Sequence, residues 1–205
     1  MKSNNIIKGA SKMKSHIEDS RSKKIVFVAN CILNANNKVL ELARYPGMFF
    51  EVLETLNNYG LGIIQMPCPE ALYMGNQRWW TSRNLYDNVG YRRICRKLSE
   101  QMVDYMVNYQ KVGYEVVALL TCDGSPSCGI NISSYCENWG GRPKEIPREL
   151  VNKPGVFMEE LILEAETRQI ELPAIFGLAM DNRDVSNEKI LMDFNNFMIE
   201  RFGEE

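Results

Sequence analysis

Four short apolar runs, each followed by a stretch with helical patterning, constrain this chain more than any other feature. They occupy residues 24–29 (KIVFVA), 62–66 (GIIQM), 116–120 (VVALL) and 174–178 (AIFGL). Runs this short, bounded by turn formers, read as strands buried in a sheet. Helices are predicted over about 46–59, 89–110, 155–169 and 187–202. In the first of these, Phe49, Phe50, Val52, Leu53 and Leu56 recur at helical spacing, and Gly60 stands where a C-terminal cap belongs. The order β-α-β-α-β-α-β-α predicts a parallel sheet with right-handed crossovers and helices on both faces. The expected fold class is α/β: a single-domain three-layer sandwich with a mainly parallel sheet, Rossmann- or flavodoxin-like. No repeat or linker divides the chain, and 205 residues suffice for one core of this kind. Residues 1–22 are polar and are expected to form a mobile tail, with a single α/β domain over 23–205. Residues 71–88 are rich in aromatics and 134–154 in polar residues, proline and glycine, so both are read as irregular excursions.

Charge and residue counts then remove whole classes of chemistry. The formal net charge of −2 argues against a nucleic-acid-binding surface. No apolar run approaches the length that spans a bilayer, and the N-terminus lacks the apolar centre of an export signal. The cytoplasm is the expected location, with neither membrane nor nucleic acid as a partner. In a reducing compartment six cysteines are thiols, metal ligands or catalytic groups rather than a disulfide framework. The one histidine, His16, lies in the polar tail, which removes most Ser-His-Asp, Cys-His and His-metal arrangements.

The cysteines are where the chemistry concentrates. Thr121–Gly129 (TCDGSPSCG) follows the third strand, and its glycines, proline, Asp and serines force a tight loop. That loop lies at the carboxyl edge of the sheet, where open α/β folds bind ligands. Cys128 is in it. Cys31 and Cys68 stand just past the first and second strands, so three thiols far apart in sequence are expected to converge. Soft thiolates without histidine select zinc, Cu(I) or an iron–sulfur cluster. Structural zinc is normally closed by four ligands, whereas three thiolates on a four-iron cluster leave one iron open to substrate. The bland alternative is three buried apolar thiols. Cys95 falls on the apolar stripe of a helix and is expected in the core, Cys122 is expected to be a neighbour rather than a ligand, and Cys136 to be incidental.

Asn30-Cys31-Ile32-Leu33-Asn34, Cys68-Pro69-Glu70 and Ser125-Pro126-Ser127-Cys128-Gly129 together resemble the thiouracil desulfidase family. The resemblance covers about residues 24–129. It implies a [4Fe-4S] cluster on Cys31, Cys68 and Cys128, and removal of sulfur from a small thiolated pyrimidine or similar thiocarbonyl compound without net redox change. On that reading Glu70 orients or deprotonates a water and Ser125 helps to seat the substrate. Ser127, Arg78 and Trp79 are the expected substrate-binding residues, the indole offering a stacking surface for a flat ring. The chain departs from the family pattern at Ala71–Trp80, and at Cys122-Asp123-Gly124, where the family has basic residues. A homodimer is left open. The competing readings are a non-catalytic metal- or cluster-binding sensory or structural module, and a thiol redox protein using Cys122 and Cys128.

Overall fold

A computed structural model describes residues 19–138 and 149–203. His16, most of the expected tail and residues 139–148 of the second excursion lie outside them. Residues 19–22, the end of that tail, carry no regular structure.

The four apolar runs are the four strands of one parallel sheet: β1 (Lys24–Ala29), β2 (Gly62–Met66), β3 (Glu115–Cys122) and β6 (Ala174–Leu178), in the spatial order β2-β1-β3-β6. β1 and β3 lie in the middle, covered on both faces, and Phe27, Val28, Leu119 and Leu120 are wholly buried. That is why their sequences are continuous rather than alternating apolar runs. Each such side chain contributes about 1.5–3 kcal/mol by leaving water. The edge strands β2 and β6 are only partly covered.

Between the strands run α2 (Phe50–Asn58), α5 (Val89–Lys111), α6 (Val156–Thr167) and, after β6, α7 (Asn187–Phe202). α5 packs against α6, and α2 against α7, giving a helical layer on each face of the sheet. The expected three-layer α/β fold is thus the observed one. The chain enters the sheet at β1, turns one way to β2, then crosses back to β3. That reversal makes the β1/β3 edge the topological switch point, where this strand order opens a crevice at the carboxyl ends.

The stretches read as irregular hold short elements. Asn30–Leu33 forms one helical turn, α1, directly after β1, and Ala35–Asn37 a 3₁₀ turn. In the aromatic excursion α3 (Pro69–Met74) begins with proline at its first turn, a position where the missing N–H costs nothing, and α4 (Arg83–Tyr86) is a single turn. In the second excursion, β4 (Ser133–Tyr135) pairs antiparallel with β5 (Glu149–Val151). Three-residue strands leave no periodicity to read, which is why the sequence does not announce them. Among the described residues no helix is long and apolar enough to cross a membrane.

Candidate active site

The site grows from the loop after β3. Asp123 turns its carboxylate back beneath the loop and accepts hydrogen bonds from the N–H groups of Ile130 (2.8 Å) and Asn131 (3.0 Å) and from the Asn131 side-chain amide (2.7 Å). Ser125 does the same from within. Its Oγ accepts from the N–H of Ser127 and of Cys128, each at 3.2 Å. The loop then hands its own carbonyls to the start of α6: Gly129 accepts from Gly155 (2.8 Å), Pro126 from Val156 (3.0 Å) and Ser127 from Phe157 (3.1 Å). Only glycine fits at 155, because a Cβ there would stand 2.4 Å from the carbonyl carbon of Ser127. Gly124, at φ +90°, lets the chain pass against the backbone of Asp181. A loop of this composition would otherwise be mobile; here nearly every turn is fastened.

Ser125 also reaches outward, its hydroxyl donating to Glu70 Oε1 (3.3 Å). The other carboxylate oxygen, Oε2, accepts from Arg78 Nε at 3.1 Å. Arg78 is buried and is itself held by the carbonyls of Asn37 (2.9 Å) and Gly75 (3.4 Å). Ser125, Glu70 and Arg78 therefore form one buried chain with the carboxylate in the middle. Cys31, Cys68 and Cys128 lie within electrostatic reach of one another and of Glu70. Burial, reinforced by the Glu70 carboxylate, pushes the Cys68 thiol up to about 12. Burial, with Cys68 and Cys31 beside it, drives Cys128 well above the ordinary thiol value. Cys31 is the exception, held below it by a hydrogen bond with Cys122.

A second buried cluster adjoins the first. The Lys38 ammonium is ion-paired with Asp181 and lies 3.4 Å from Cys122 Sγ. Burial works against its charge, but the Asp181 carboxylate and then the two cysteines hold its pKa well above the usual lysine value. Tyr45 donates to the Cys31 carbonyl (2.9 Å) and reaches Met180 Sδ (3.5 Å). Cys122 rises well above the ordinary thiol value through its hydrogen bond with Cys31 and through burial. Cys122 is tied to Cys128 through backbone, its N–H donating to the Cys128 carbonyl at 3.3 Å.

Glu70 opens onto a cavity of about 20 Å³ lined also by Val39, Leu42, Trp80, Thr81, Pro126 and Asp181. A water needs roughly 10–15 Å³ of such space. Leu42 and Asp181 are shared with an adjoining open groove of about 500 Å³ that runs past Arg44, Met180 and Arg183.

Of the residues singled out by sequence, hydrogen bonds join Ser125, Glu70 and Arg78, and Cys31, Cys68 and Cys128 lie within electrostatic reach of Glu70. Arg78 meets Glu70 rather than solvent. Ser127 is fully buried with its hydroxyl hydrogen-bonded to Tyr91, and Trp79 is 77% exposed. The indole at the cavity is that of Trp80, which donates to the Leu40 carbonyl (2.9 Å) and carries the Arg183 guanidinium over its ring at 4.9 Å. Cys95 is in the core on α5, with its thiol pushed up to about 12 by burial and by Glu160. Cys136 is buried between the amide groups of Asn84, which grips its N–H (3.2 Å) and its carbonyl (2.8 Å). Lys38, Tyr45 and Asp181 were missed. Asp181 left a signal, since it follows the carboxyl end of the fourth strand as the cysteines follow the other three; Lys38 left none.

Cys31, Cys68 and Cys128, beside a buried carboxylate held by arginine, are soft donors of the kind thiophilic metals and iron–sulfur clusters take. Among the described residues no group of three or more His, Cys, Asp and Glu side chains is placed to hold a metal ion.

The chain is 33% identical over 178 residues to the uncharacterized protein MJ0003 of Methanocaldococcus jannaschii, a match covering 87% of this chain and 94% of that one. No family model matches the chain, and no solved structure does.

Proposed function

The chain belongs to the family of that Methanocaldococcus jannaschii protein, and we propose that it is an iron–sulfur-dependent desulfidase acting on a small thiocarbonyl compound such as a thiolated pyrimidine. Cys31, Cys68 and Cys128 would hold a [4Fe-4S] cluster, which when bound supplies a Lewis acid with an affinity for sulfur.

The remaining chemistry belongs to the chain. Arg78 fixes one oxygen of Glu70, so the carboxylate presents the other to Ser125 and the cavity. A water in that cavity loses one proton to Glu70 as its oxygen bonds to the thiocarbonyl carbon. The resulting tetrahedral carbon expels sulfur as hydrosulfide and becomes a carbonyl. The two protons of the water end on the departing sulfur and in solvent, and no electrons are gained or lost. Ser125, in the same loop as Cys128, donates to Glu70 and would pass a proton between the carboxylate and the substrate. An oxygen-sensitive centre of this kind suits a reducing compartment, the cytoplasm.

The observation that carries this reading is the buried chain Ser125–Glu70–Arg78 set among three thiols and opening on a water-sized cavity. Its test is anaerobic reconstitution with iron and sulfide, followed by addition of a thiolated pyrimidine. Sulfide release with conversion of the thiobase to its oxo form is expected. Protein that binds zinc alone, or that takes up neither metal, overturns it.

A further inference from the structure

Asp181 is a second carboxylate on the cavity that Glu70 opens onto, and the proposed reaction does not use it. It follows β6, the last strand of the sheet. Its main chain is fastened to the loop after β3: its N–H donates to the Asp123 carbonyl (3.2 Å), and Gly124 passes close against its backbone. The turn beyond it is held as well, because Arg44 donates to the carbonyls of Asn182 and Val185. One carboxylate oxygen is paired with the buried Lys38 ammonium. An ionised carboxylate accepts hydrogen bonds at about four sites and donates none, so the lysine does not exhaust its capacity.

Asp181 also stands where two spaces meet. It lines the cavity of about 20 Å³ beside Glu70 and the groove of about 500 Å³ that runs past Arg44 and Arg183. The first suits a water, and the second admits a six-membered ring. The carbon that the water attacks must lie where the two adjoin, which is at Leu42 and Asp181. The Trp80 indole on the same cavity offers its face to a flat ring.

In a thiolated pyrimidine the thiocarbonyl carbon is bonded to a ring nitrogen that carries hydrogen. We propose that Asp181 accepts a hydrogen bond from that ring N–H and thereby restricts the substrate to thiolactams, compounds with an N–H next to the C=S bond. The inference rests on the desulfidase reading and adds the substrate class to it. Lys38 is a positioning residue, which holds the carboxylate at the junction. A thiocarbonyl compound whose neighbouring nitrogen bears carbon would bury that carboxylate against an apolar group, and binding would suffer.

The experiment uses the anaerobically reconstituted full-length protein with 4-thiouracil, whose N3–H adjoins the thiocarbonyl carbon, and with its 1-methyl and 3-methyl derivatives. Equilibrium binding and sulfide release are both measured. The 3-methyl compound should bind about ten- to a hundredfold more weakly than the 1-methyl compound, the usual worth of a hydrogen bond to a charged group. The 1-methyl compound, equal in size and with its N3–H intact, should behave as 4-thiouracil does. In Asp181→Asn, folded by its melting curve, the gap should close because binding of the 1-methyl compound falls. If that variant does not fold, Lys38→Met/Asp181→Asn, which also removes the unpaired ammonium, carries the same comparison. Equal handling of the two methyl compounds by the wild-type protein, or a gap that survives the loss of Asp181, overturns the role of Asp181 and leaves the desulfidase reading standing. Binding with the expected gap but no sulfide release keeps Asp181 in its role and overturns the desulfidase reading. Binding of none of the three overturns both.

Discussion

The carboxylate of Asp123 occupies the place that a side chain on Gly177 would need. A Cβ at 177 would lie 2.2 Å from Asp123 Oδ2. Gly177 pairs with Thr121 across β3 and β6, so the bare α-carbon of the fourth strand is a seat for the acid that ties down the loop of the third. Gly177→Ala should therefore loosen the loop rather than the sheet. A loss of about 1–3 kcal/mol is expected for such overpacking, read as a lower Tm. Gly47→Ala, where nothing stands within 4 Å, is the control and should leave Tm unchanged.

Glu70→Gln keeps the shape of the carboxylate and one acceptor for Ser125 or Arg78. Iron and sulfide content after reconstitution should match the wild type. Sulfide release should fall by roughly two to four orders of magnitude, the usual worth of a general base. Loss of iron would make Glu70 a structural group, and undiminished turnover would assign the proton to another residue.

The thiols of the metal-free protein should alkylate in a fixed order. Cys31 is held low by its hydrogen bond with Cys122 and is half-buried, so iodoacetamide should reach it first. Cys68 is half-buried too, but burial and Glu70 push it up to about 12, so it should lag. Cys95, Cys122 and Cys128, all buried, should come later still. Peptide mapping against time checks the order, and Cys68 ahead of Cys31 would contradict it.

Lys38 and Asp181 have side chains only 6% and 8% exposed. Lys38→Met removes the ammonium and leaves the carboxylate buried without it. Breaking such a pair from one side costs about 3–5 kcal/mol. Thermal unfolding should show a markedly lower Tm, partly restored in Lys38→Met/Asp181→Asn. A single variant as stable as the wild type would place the pair outside the energetics of the fold.

Asp87 gives a pH signature. Its carboxyl lies below the ordinary value of 3.8, first through a hydrogen bond from Arg92, then through charge attraction to Arg92 and Arg83. A folded-state value below the unfolded one stabilises the protein above the unfolded value, and the gain is lost as pH falls through the folded value. Asp87→Asn should therefore lower Tm at neutral pH, with the gap closing as pH drops below 3.8. A gap that persists or widens in acid would contradict this.

The strands were legible because central parallel strands must be apolar on both faces, and the cysteines because each follows such a strand. Less legible was whatever depends on a side chain folding back. Arg78 reads as a surface charge until α3 and the 3₁₀ turn close around it. Ser127 sits in the same motif as Ser125, yet the bend of the loop turns one hydroxyl toward Glu70 and the other toward Tyr91. Trp79 and Trp80 are adjacent and chemically identical. Only the path of the excursion decides that the second faces the cavity. Lys38, in a loop of Asn and Lys, carried no periodic signal for its burial.

The site draws on all four strand ends of the parallel sheet, with Asp181 supplied by the last. Among the cysteines it gathers, those expected to bind iron are far apart along the chain, and the unfolded polypeptide offers them no short chelating segment. Iron therefore cannot template this fold in the way zinc templates a finger, whose ligands lie within one short stretch. On the proposed reading that separation sets an order: β1, β2 and β3 must first lie side by side, and the cluster would load onto the folded domain.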